Sequence, residues 1–205
     1  MIFIFNLRIQ LNKMNFKNEF YRKLIHLASV IIPMSYYYFF SREIILLILL
    51  FVSICFIIIE ILRINNLLIN QIFFKVFGLM IRKSEKKKFT GATITFISCF
   101  FLIMIFEKNI AVYSMLILCI SDAIAAIVGK KWGKNKIFDK TLEGSLAFFL
   151  ISTLIGLLFL DIKILGLLIS SIIATVAELI PSPINDNIIV PFSVASTISF
   201  YYLFV

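Results

Sequence analysis

The fold is constrained most by a series of apolar stretches, each about as long as a helix that crosses a bilayer. About 20 helical residues are needed to span the hydrocarbon core. We count seven such stretches along the chain, at 24–40, 43–62, 90–106, 110–129, 143–160, 163–180 and 187–205. The 205 residues are 61% hydrophobic, whereas soluble domains are about 45–50% apolar. The sequence therefore predicts an all-α, polytopic integral membrane bundle of about seven transmembrane helices.

The composition does not divide the chain into separate domains. Only 7 glycines and 4 prolines occur, so we expect no flexible linker and interpret residues 1–205 as a single domain. Residues 1–13 are interpreted as a disordered or mis-assigned start, because Met14 is an alternative first residue. The stretch 64–83 mixes polar and apolar residues at helical spacing, which favours a helix lying in the membrane interface.

Lysine and arginine are distributed unevenly between the two sides of the predicted bundle. With the N-terminus inside, the inner segments hold 17 of the 20 basic residues and the outer connections hold three. Because basic residues concentrate in cytoplasmic loops, this distribution predicts a cytoplasmic N-terminus and an external C-terminus. The topology then accounts for the net charge of +9, so nucleic acid is not expected as a partner.

Acidic side chains gather at the predicted inner ends of the spans, together with the only histidine. The members of this group are Glu60, Asp122, Glu143, Glu178, Asp186 and His26. A helix places Asp122 about 12 Å below Lys130, the first lysine of the next loop. A charged acid inside a span costs about 2.5–3.5 kcal/mol, and such groups usually face a cavity, a metal ion or a partner. The alternatives are a hydrogen bond between helices and a side chain that snorkels to the surface. We interpret the convergence on one side as a site.

The lysine-rich loop 130–142 follows Asp122 in the chain. Lysines at this position anchor spans to lipid headgroups, or they bind phosphate. Several ammonium groups above a buried acid suit a nucleoside triphosphate with Mg²⁺, which takes one or two carboxylates together with phosphate oxygens. Thr141 is expected to cap the next span and to put Glu143 in its first turn. An acid in a first turn also interacts favourably with the helix dipole, so a catalytic role for Glu143 and a structural one both stay open.

Two short patterns indicate how helices begin and pack. Ser121, Ala125 and Gly129 recur every four residues, which favours the close approach of another helix. Thr90 and Gly91 indicate a cap or a tight entry into the third predicted span.

In its motifs the chain resembles the membrane lipid kinase family that includes dolichol kinase, phytol kinase and CTP-dependent diacylglycerol kinase. The motifs that carry the resemblance are RKLIH (22–26), the Glu60–Arg63 pair, RKSE followed by FTGAT (82–93), SDAIAAIVGKKWGK (121–134), DKTLEGS (139–145), AELI (177–180) and DNIIVP (186–191). They cover nearly the whole chain. One departure is NDN at 185–187, where two acids are expected before the asparagine. This departure leaves Asp186 as the sole acidic candidate there.

The resemblance implies transfer of the γ-phosphoryl group of a nucleotide, with CTP as the expected donor, to the hydroxyl of a lipid alcohol such as diacylglycerol, a polyprenol or phytol. Asp122 and Glu143 would hold Mg²⁺. Lys140 would be catalytic, with His26, Asp186 or Glu178 orienting or deprotonating the lipid hydroxyl. The implied nucleotide-binding residues are Lys130, Lys131, Lys134, Lys140 and Thr141. Further candidates are Glu60, Arg63, Thr90 and Glu178.

The resemblance implies a role in phospholipid biosynthesis, and three alternatives to a lipid kinase stay open. The central block 121–145 also resembles CDP-diacylglycerol synthase, a phosphatidate cytidylyltransferase, but the aspartate-rich signature of that enzyme does not follow residue 160. The second alternative is a small transporter with Asp122 as an ion site, and the third is a structural member without activity. In each case the bilayer is a partner. The site is expected to face the cytoplasm, from the cell membrane of a bacterium or the endoplasmic reticulum of a eukaryote.

Overall fold

The computed structural model describes residues 18–81, 85–159 and 163–204, and within these ranges the backbone is almost entirely helical. The helices, in chain order, are α1 (18–28), α2 (Ile31–Tyr38), α3 (Arg42–Asn65), α4 (Leu67–Phe77), α5 (Gly91–Ile105), α6 (Lys108–Leu116), α7 (Asp122–Trp132), α8 (Leu142–Phe159), α9 (Ile164–Leu179) and α10 (Asp186–Phe204). A 3₁₀ turn, Gly78–Met80, extends α4, and a π-helical segment, Ile117–Ser121, joins α6 to α7. The predicted all-α class is confirmed. The proposed start at 1–13 lies outside the described residues.

Four helical segments within the described residues are long and apolar enough to cross a membrane. They are Arg42–Asn65, Lys108–Trp132, Leu142–Phe159 and Asp186–Phe204. The predicted spans at 90–106 and 163–180 form the shorter apolar helices α5 and α9, of 15 and 16 residues. The predicted span at 24–40 is divided into α1 and α2 by a turn at Ser29 and Val30. The count of seven and the orientation of the termini stay predictions.

Asn66 separates the longest span from the helix that was expected in the membrane interface. Its backbone is extended, and its side-chain oxygen accepts hydrogen bonds from the amides of Leu68 and Ile69. It therefore ends α3 and caps α4. Large apolar side chains of α4, such as Leu67 and Ile72, are 81% and 66% exposed. A helix is thus present in the predicted stretch, and its position in the interface stays a prediction.

The centre of the bundle is the continuous helix formed by α6, the π-helical segment and α7. It packs against α8, where Ser152 Oγ donates a hydrogen bond of 3.1 Å to Ser121 Oγ. A Cβ atom added at Gly144 of α8 would lie 2.9 Å from the carbonyl oxygen of Ala125 and 3.3 Å from Cα of Gly129. The two backbones therefore touch, and only glycine fits at this crossing. The predicted close approach of another helix to this row of small residues is confirmed, and its partner is α8.

Between α7 and α8 the lysine-rich loop folds into a small antiparallel hairpin. Its strands are β1 (Lys136–Ile137) and β2 (Lys140–Thr141), with Lys136 opposite Thr141 and Ile137 opposite Lys140. The first residue of its two-residue turn, Phe138, has a φ of 54°, in the left-handed region. The hairpin turns the chain back on itself, so that Lys140 faces the ends of α9 and α10.

Candidate active site

A cavity of about 540 Å³ lies among α1, α3, α4, α5, α7 and the start of α10. Part of its wall is apolar, and aromatic rings contribute to it from three helices. These apolar residues include Phe56, Ile59, Phe73, Phe77, Met80 and Phe96. The remainder is polar or charged and includes Arg22, Lys23, His26, Glu60, Glu85, Thr90, Asp122, Asp186 and Asn187. The charged side chains come from the ends of several helices, so the bundle brings together residues that are distant in sequence.

One buried charged contact of this wall is an ion pair between Lys23 of α1 and Asp122 of α7. The lysine ammonium bonds Asp122 Oδ2, and the two side chains are only 4% and 14% exposed. His26 lies one turn after Lys23 and close enough to Asp122 for their charges to interact. The π-helical segment ends directly before Asp122. Such segments occur frequently at functional sites.

Lys140 forms a second charged cluster beside the cavity. Its ammonium contacts Glu178 Oε1 at 2.8 Å and Asp186 Oδ2 at 3.2 Å, and it also donates to the carbonyl oxygen of Glu178. Burial by itself disfavours the charged form of Lys140, but these carboxylates hold its pKa above the usual value. Because Asp186 lines the cavity, Lys140 links the lysine-rich hairpin to the cavity wall.

The buried pair of Glu60 and Arg63 fixes the start of α5 at the cavity. Arg63 is 0% exposed and donates to Glu60 Oε2 through two nitrogens and to the carbonyl oxygen of Lys88 at 2.8 Å. The other oxygen of Glu60 accepts from the amide of Thr90 at 3.0 Å and from the hydroxyl of Thr93 at 3.1 Å. Glu60 therefore supplies the cap for α5. Thr90 is the N-cap residue, as predicted, but its own side chain makes no capping bond.

Asn187 ties the start of α10 to the start of α5. Its side-chain amide donates to the carbonyl oxygen of Gly91 and to the hydroxyl of Thr95, both at 2.9 Å. The amide of Gly91 in turn donates to Glu85 Oε1 at 3.1 Å. A Cβ atom at Gly91 would lie 3.3 Å from Asn187 Nδ2, so the absent side chain permits this close approach.

The structure brings some of the predicted site residues together and separates others. His26, Glu60, Thr90, Asp122 and Asp186 line the cavity. Arg63, Lys140 and Glu178 are bonded to its wall residues or lie beside them. The remaining candidates, which do not line it, are Lys130, Lys131, Lys134, Thr141 and Glu143.

Two of these remaining residues have structural contacts of their own. Glu143 lies in the first turn of α8, as predicted, and accepts a hydrogen bond from the amide of Asn135 at 3.2 Å. Thr141 Oγ1 accepts from the amide of Gly144 at 3.2 Å, so the predicted cap on α8 is confirmed. Shared binding of a metal ion by Asp122 and Glu143 stays a prediction.

Several polar wall residues were not identified from the sequence as site candidates, among them Arg22, Lys23, Glu85 and Asn187. Lys23 stands in the RKLIH motif one helical turn before His26, which is the signal that was available. Glu85 ends the RKSE motif and Asn187 stands in the DNIIVP motif, but their contacts with Gly91 are visible only in the structure.

Three carboxylates that could serve the implied Mg²⁺ lie around Lys140. Asp122, Glu178 and Asp186 all interact electrostatically with Lys140, and Glu178 Oε2 is buried without a hydrogen-bond partner among the described residues. No three His, Cys, Asp or Glu side chains in the described part of the chain form a metal-binding group. Mg²⁺ usually takes one or two protein carboxylates and completes its shell with water and substrate phosphates, and a Mg²⁺ site here stays a prediction.

The fold and the site define a helical integral membrane protein with buried ion pairs in the wall of an apolar cavity. The chain is 32% identical over 200 residues to the uncharacterized protein RP860 of Rickettsia prowazekii, an alignment that covers 92% of this chain and 98% of that protein. The chain belongs to the family of that protein. No family model and no solved structure matches it.

Two further relatives carry functional names. The chain is 36% identical over 93 residues to CTP-dependent diacylglycerol kinase 1 of Schizosaccharomyces pombe, covering 44% of this chain. It is 26% identical over 142 residues to the protein of the same name from Saccharomyces cerevisiae, covering 67% of this chain. The aligned parts span 43% and 49% of these two relatives.

Proposed function

We propose that the protein is a membrane lipid kinase that transfers the γ-phosphoryl group of CTP to the hydroxyl of a lipid alcohol. The observation that carries the proposal is the buried Lys23–Asp122 ion pair in the wall of an apolar cavity. Lys140 lies beside it and connects that wall to the lysine-rich hairpin. A lipid substrate suits the apolar part of the wall, and a nucleotide suits the lysines. The names of the two yeast relatives support the same activity and are the basis for choosing CTP.

Phosphoryl transfer depends mostly on positioning and on stabilising negative charge. The ammonium group of Lys23 contacts Asp122, and that of Lys140 contacts Asp186. Both lysines are mostly buried, and an ammonium in such a site stabilises developing negative charge more strongly than one in water. Their carboxylate partners orient both ammonium groups before the substrates bind. We therefore assign both lysines to the stabilisation of the transferred group.

Asp122 would hold Mg²⁺, with Glu178, Asp186 or the predicted ligand Glu143 as a second carboxylate. When bound, Mg²⁺ neutralises charge on the β- and γ-phosphates. Of the residues proposed to orient or deprotonate the lipid hydroxyl, His26 and Asp186 line the cavity and Glu178 does not. This difference favours His26 and Asp186, because a general base must lie within hydrogen-bond reach of the proton that it abstracts.

The test is a transfer assay with the purified protein in lipid nanodiscs. The protein is incubated with Mg²⁺, γ-labelled CTP or ATP, and diacylglycerol, dolichol or phytol. We expect labelled lipid phosphate from at least one alcohol, and more label from CTP than from ATP. Absence of labelled lipid under every condition would refute the proposal. A CDP-lipid formed from phosphatidate, with release of pyrophosphate, would identify a cytidylyltransferase instead.

A pair of variants tests the role of Asp122. Asp122→Asn should lower the transfer rate by at least about 10²-fold, because the amide is a poor ligand for Mg²⁺ and a weaker partner for Lys23. Asp139→Asn, in the exposed turn of the hairpin, is the matched control and should retain the rate. Size-exclusion chromatography and circular dichroism check that both variants insert and fold. Full activity in a folded Asp122→Asn variant would remove Asp122 from the mechanism.

A further inference from the structure

We propose that the cavity binds the lipid acceptor and selects lipids with an uncharged hydroxyl head over lipids with a phosphate head. The chemistry of the acceptor rests on the proposed lipid kinase function. The binding preference itself follows from the lining of the cavity and is measurable without nucleotide. The proposal places the lipid in the cavity and the nucleotide at the lysine-rich hairpin.

The apolar part of the wall provides the surface for the body of a lipid. Phe56 of α3 and Phe96 of α5 stack with their ring centroids 4.9 Å apart, and both line the cavity. From α4, Phe73 and Phe77 face the same space. The opposite side of α4 carries exposed apolar residues such as Ile72. The helix α4 is therefore an apolar partition with the cavity on one side and an exposed face on the other.

The size of the cavity limits how much of a lipid it holds. Sites for drug-sized molecules have volumes of about 300–1,000 Å³, and this cavity, at about 540 Å³, lies within that range. A long-chain lipid is larger than a drug-sized molecule. We therefore assign the cavity to the head and the first part of the chains, with the remaining chain length in the bilayer.

The charges in the wall disfavour a phosphate head. Among the described lining residues the cations are Arg22 and Lys23, whereas four carboxylates line the same cavity. Arg22 is paired with Glu19, and Lys23 is paired with Asp122. The carboxylates are Glu60, Glu85, Asp122 and Asp186.

The two cations behind the wall are paired as well. Arg63 is bonded to Glu60, and Lys140 is bonded to both Glu178 and Asp186. A lipid phosphate would have to displace one of these carboxylates in order to gain a cation. Among the described residues, the wall therefore presents more negative than positive charge to a ligand head in the cavity.

A hydroxyl head is suited to the same wall. Its O–H group donates a hydrogen bond, and a carboxylate is an acceptor with two oxygens. A fully ionised phosphate offers acceptors only, so it faces the carboxylates without a donor and with like charge. The head therefore binds through donation to a carboxylate such as Asp122 or Asp186. The same repulsion would favour departure of a lipid once it has been phosphorylated.

The test is photo-crosslinking in nanodiscs without nucleotide. The probe is a diacylglycerol with a diazirine in one acyl chain, and the crosslinked residues are mapped by mass spectrometry. We expect crosslinks on α3, α4 and α5 at residues of the cavity wall. We also expect unlabelled diacylglycerol to compete at least about tenfold better than phosphatidate with the same chains.

Two substitutions on α5 provide a matched pair. Ala92 lines the cavity four residues before Phe96, on the same face of the helix, whereas Ile94 does not line it and is also half-buried. Ala92→Phe should lower specific crosslinking by at least about tenfold because the added ring fills the space. Ile94→Phe should leave it unchanged. Circular dichroism melts verify that both variants are folded.

A third variant tests the charge argument. Glu85→Gln keeps an oxygen that accepts from the amide of Gly91 and removes one negative charge from the wall. It should strengthen competition by phosphatidate by at least about threefold and leave competition by diacylglycerol unchanged. The readout is the change in the ratio of the two lipids, because glutamine lacks the charge of Glu85 and retains an acceptor oxygen.

The outcomes separate the acceptor site from the catalytic proposal. Three results would overturn the acceptor site. They are crosslinks outside the cavity, an equal loss of specific crosslinking in Ala92→Phe and Ile94→Phe, and competition by phosphatidate as strong as that by diacylglycerol. Transfer activity in such a protein would leave the kinase proposal standing. Selective crosslinking in a protein that transfers no phosphoryl group would support the lipid site and refute the kinase proposal alone.

Discussion

Replacement of Arg63 by methionine would leave the carboxylate of Glu60 buried without its counter-charge. The two side chains are 0% and 2% exposed in the ion pair. Arg63 also donates to carbonyl oxygens of the segment that leads into α5, including that of Lys88 at 2.8 Å. Methionine retains most of the apolar volume of the side chain but none of these donors. The variant therefore removes charge and hydrogen bonds with little change in packing.

The expected loss of stability can be worked from the contacts. Removal of one partner from a buried ion pair costs about 3–5 kcal/mol, because the remaining charge is left without compensation. In a protein of 150–250 residues each kcal/mol corresponds to about 2–4 °C in the melting temperature. Arg63→Met should therefore lower the melting temperature by about 6–20 °C. Thermal melts in detergent, followed by circular dichroism, measure this shift.

Two comparisons make the argument refutable. Arg42→Met, at the exposed start of the same helix, should lower the free energy of unfolding by no more than about 1 kcal/mol. The double variant Glu60→Leu, Arg63→Met removes the isolated charge but leaves the amide of Thr90 without its acceptor. We expect it to be more stable than Arg63→Met alone and less stable than the unaltered protein. Equal shifts for Arg63→Met and Arg42→Met would refute the reasoning.

Three further predictions concern packing and the hairpin lysine. Gly156→Ala should destabilise the fold by about 1–3 kcal/mol, because the added Cβ would lie 1.9 Å from Leu167 Cδ1. Gly78→Ala is the control: its added Cβ would lie 3.6 Å from the nearest atom, so the melting temperature should change little. Lys140→Ala should reduce nucleotide-dependent transfer far more than Lys136→Ala, and equal kinetic losses would favour plain anchoring of the loop. The pKa of Lys140 is raised on folding, so the stability from its charge is fully present below the unfolded pKa of about 10.4 and is lost only as the pH rises through the folded pKa. The melting difference between the unaltered protein and Lys140→Ala should then stay constant from about pH 7 to about pH 9, and a steep decline in that window would contradict it.

The helices were predictable because the length of an apolar run and the small residues within it are local properties. The break in the first predicted span has its signal at Pro33, which stands in the first turn of α2 and has no amide hydrogen to bond the carbonyl oxygen of Ser29, four residues earlier. There, Ser29 Oγ donates to the carbonyl oxygen of His26 at 2.6 Å. A serine that bonds its own helix backbone competes with helical bonding in a way that composition does not reveal.

Site residues were predictable only where a charged side chain stands in an apolar stretch of the sequence. Asp122 was identified because an acid in an apolar run needs a partner. Its partner Lys23 lies 99 residues away and stands among other basic residues near the predicted start of the bundle, so charge alone gave no reason to select it. Glu143 was paired with Asp122 through the resemblance to the lipid kinase family. In the structure the carboxylate of Glu143 accepts from the amide of Asn135, and its pairing with Asp122 stays a prediction.

The hairpin makes the length of the lysine-rich loop a stricter requirement than its composition. Its two-residue turn fixes which residues of the two strands stand opposite each other, and a slip of one position sends every side chain to the other face. Insertion of a single residue beside Phe138 would turn Lys140 away from Asp186 even if every lysine were kept. Exchange of Lys136 for another polar residue would leave that orientation intact. Related chains should therefore tolerate exchange of Lys136 and vary hardly at all in the spacing between α7 and α8.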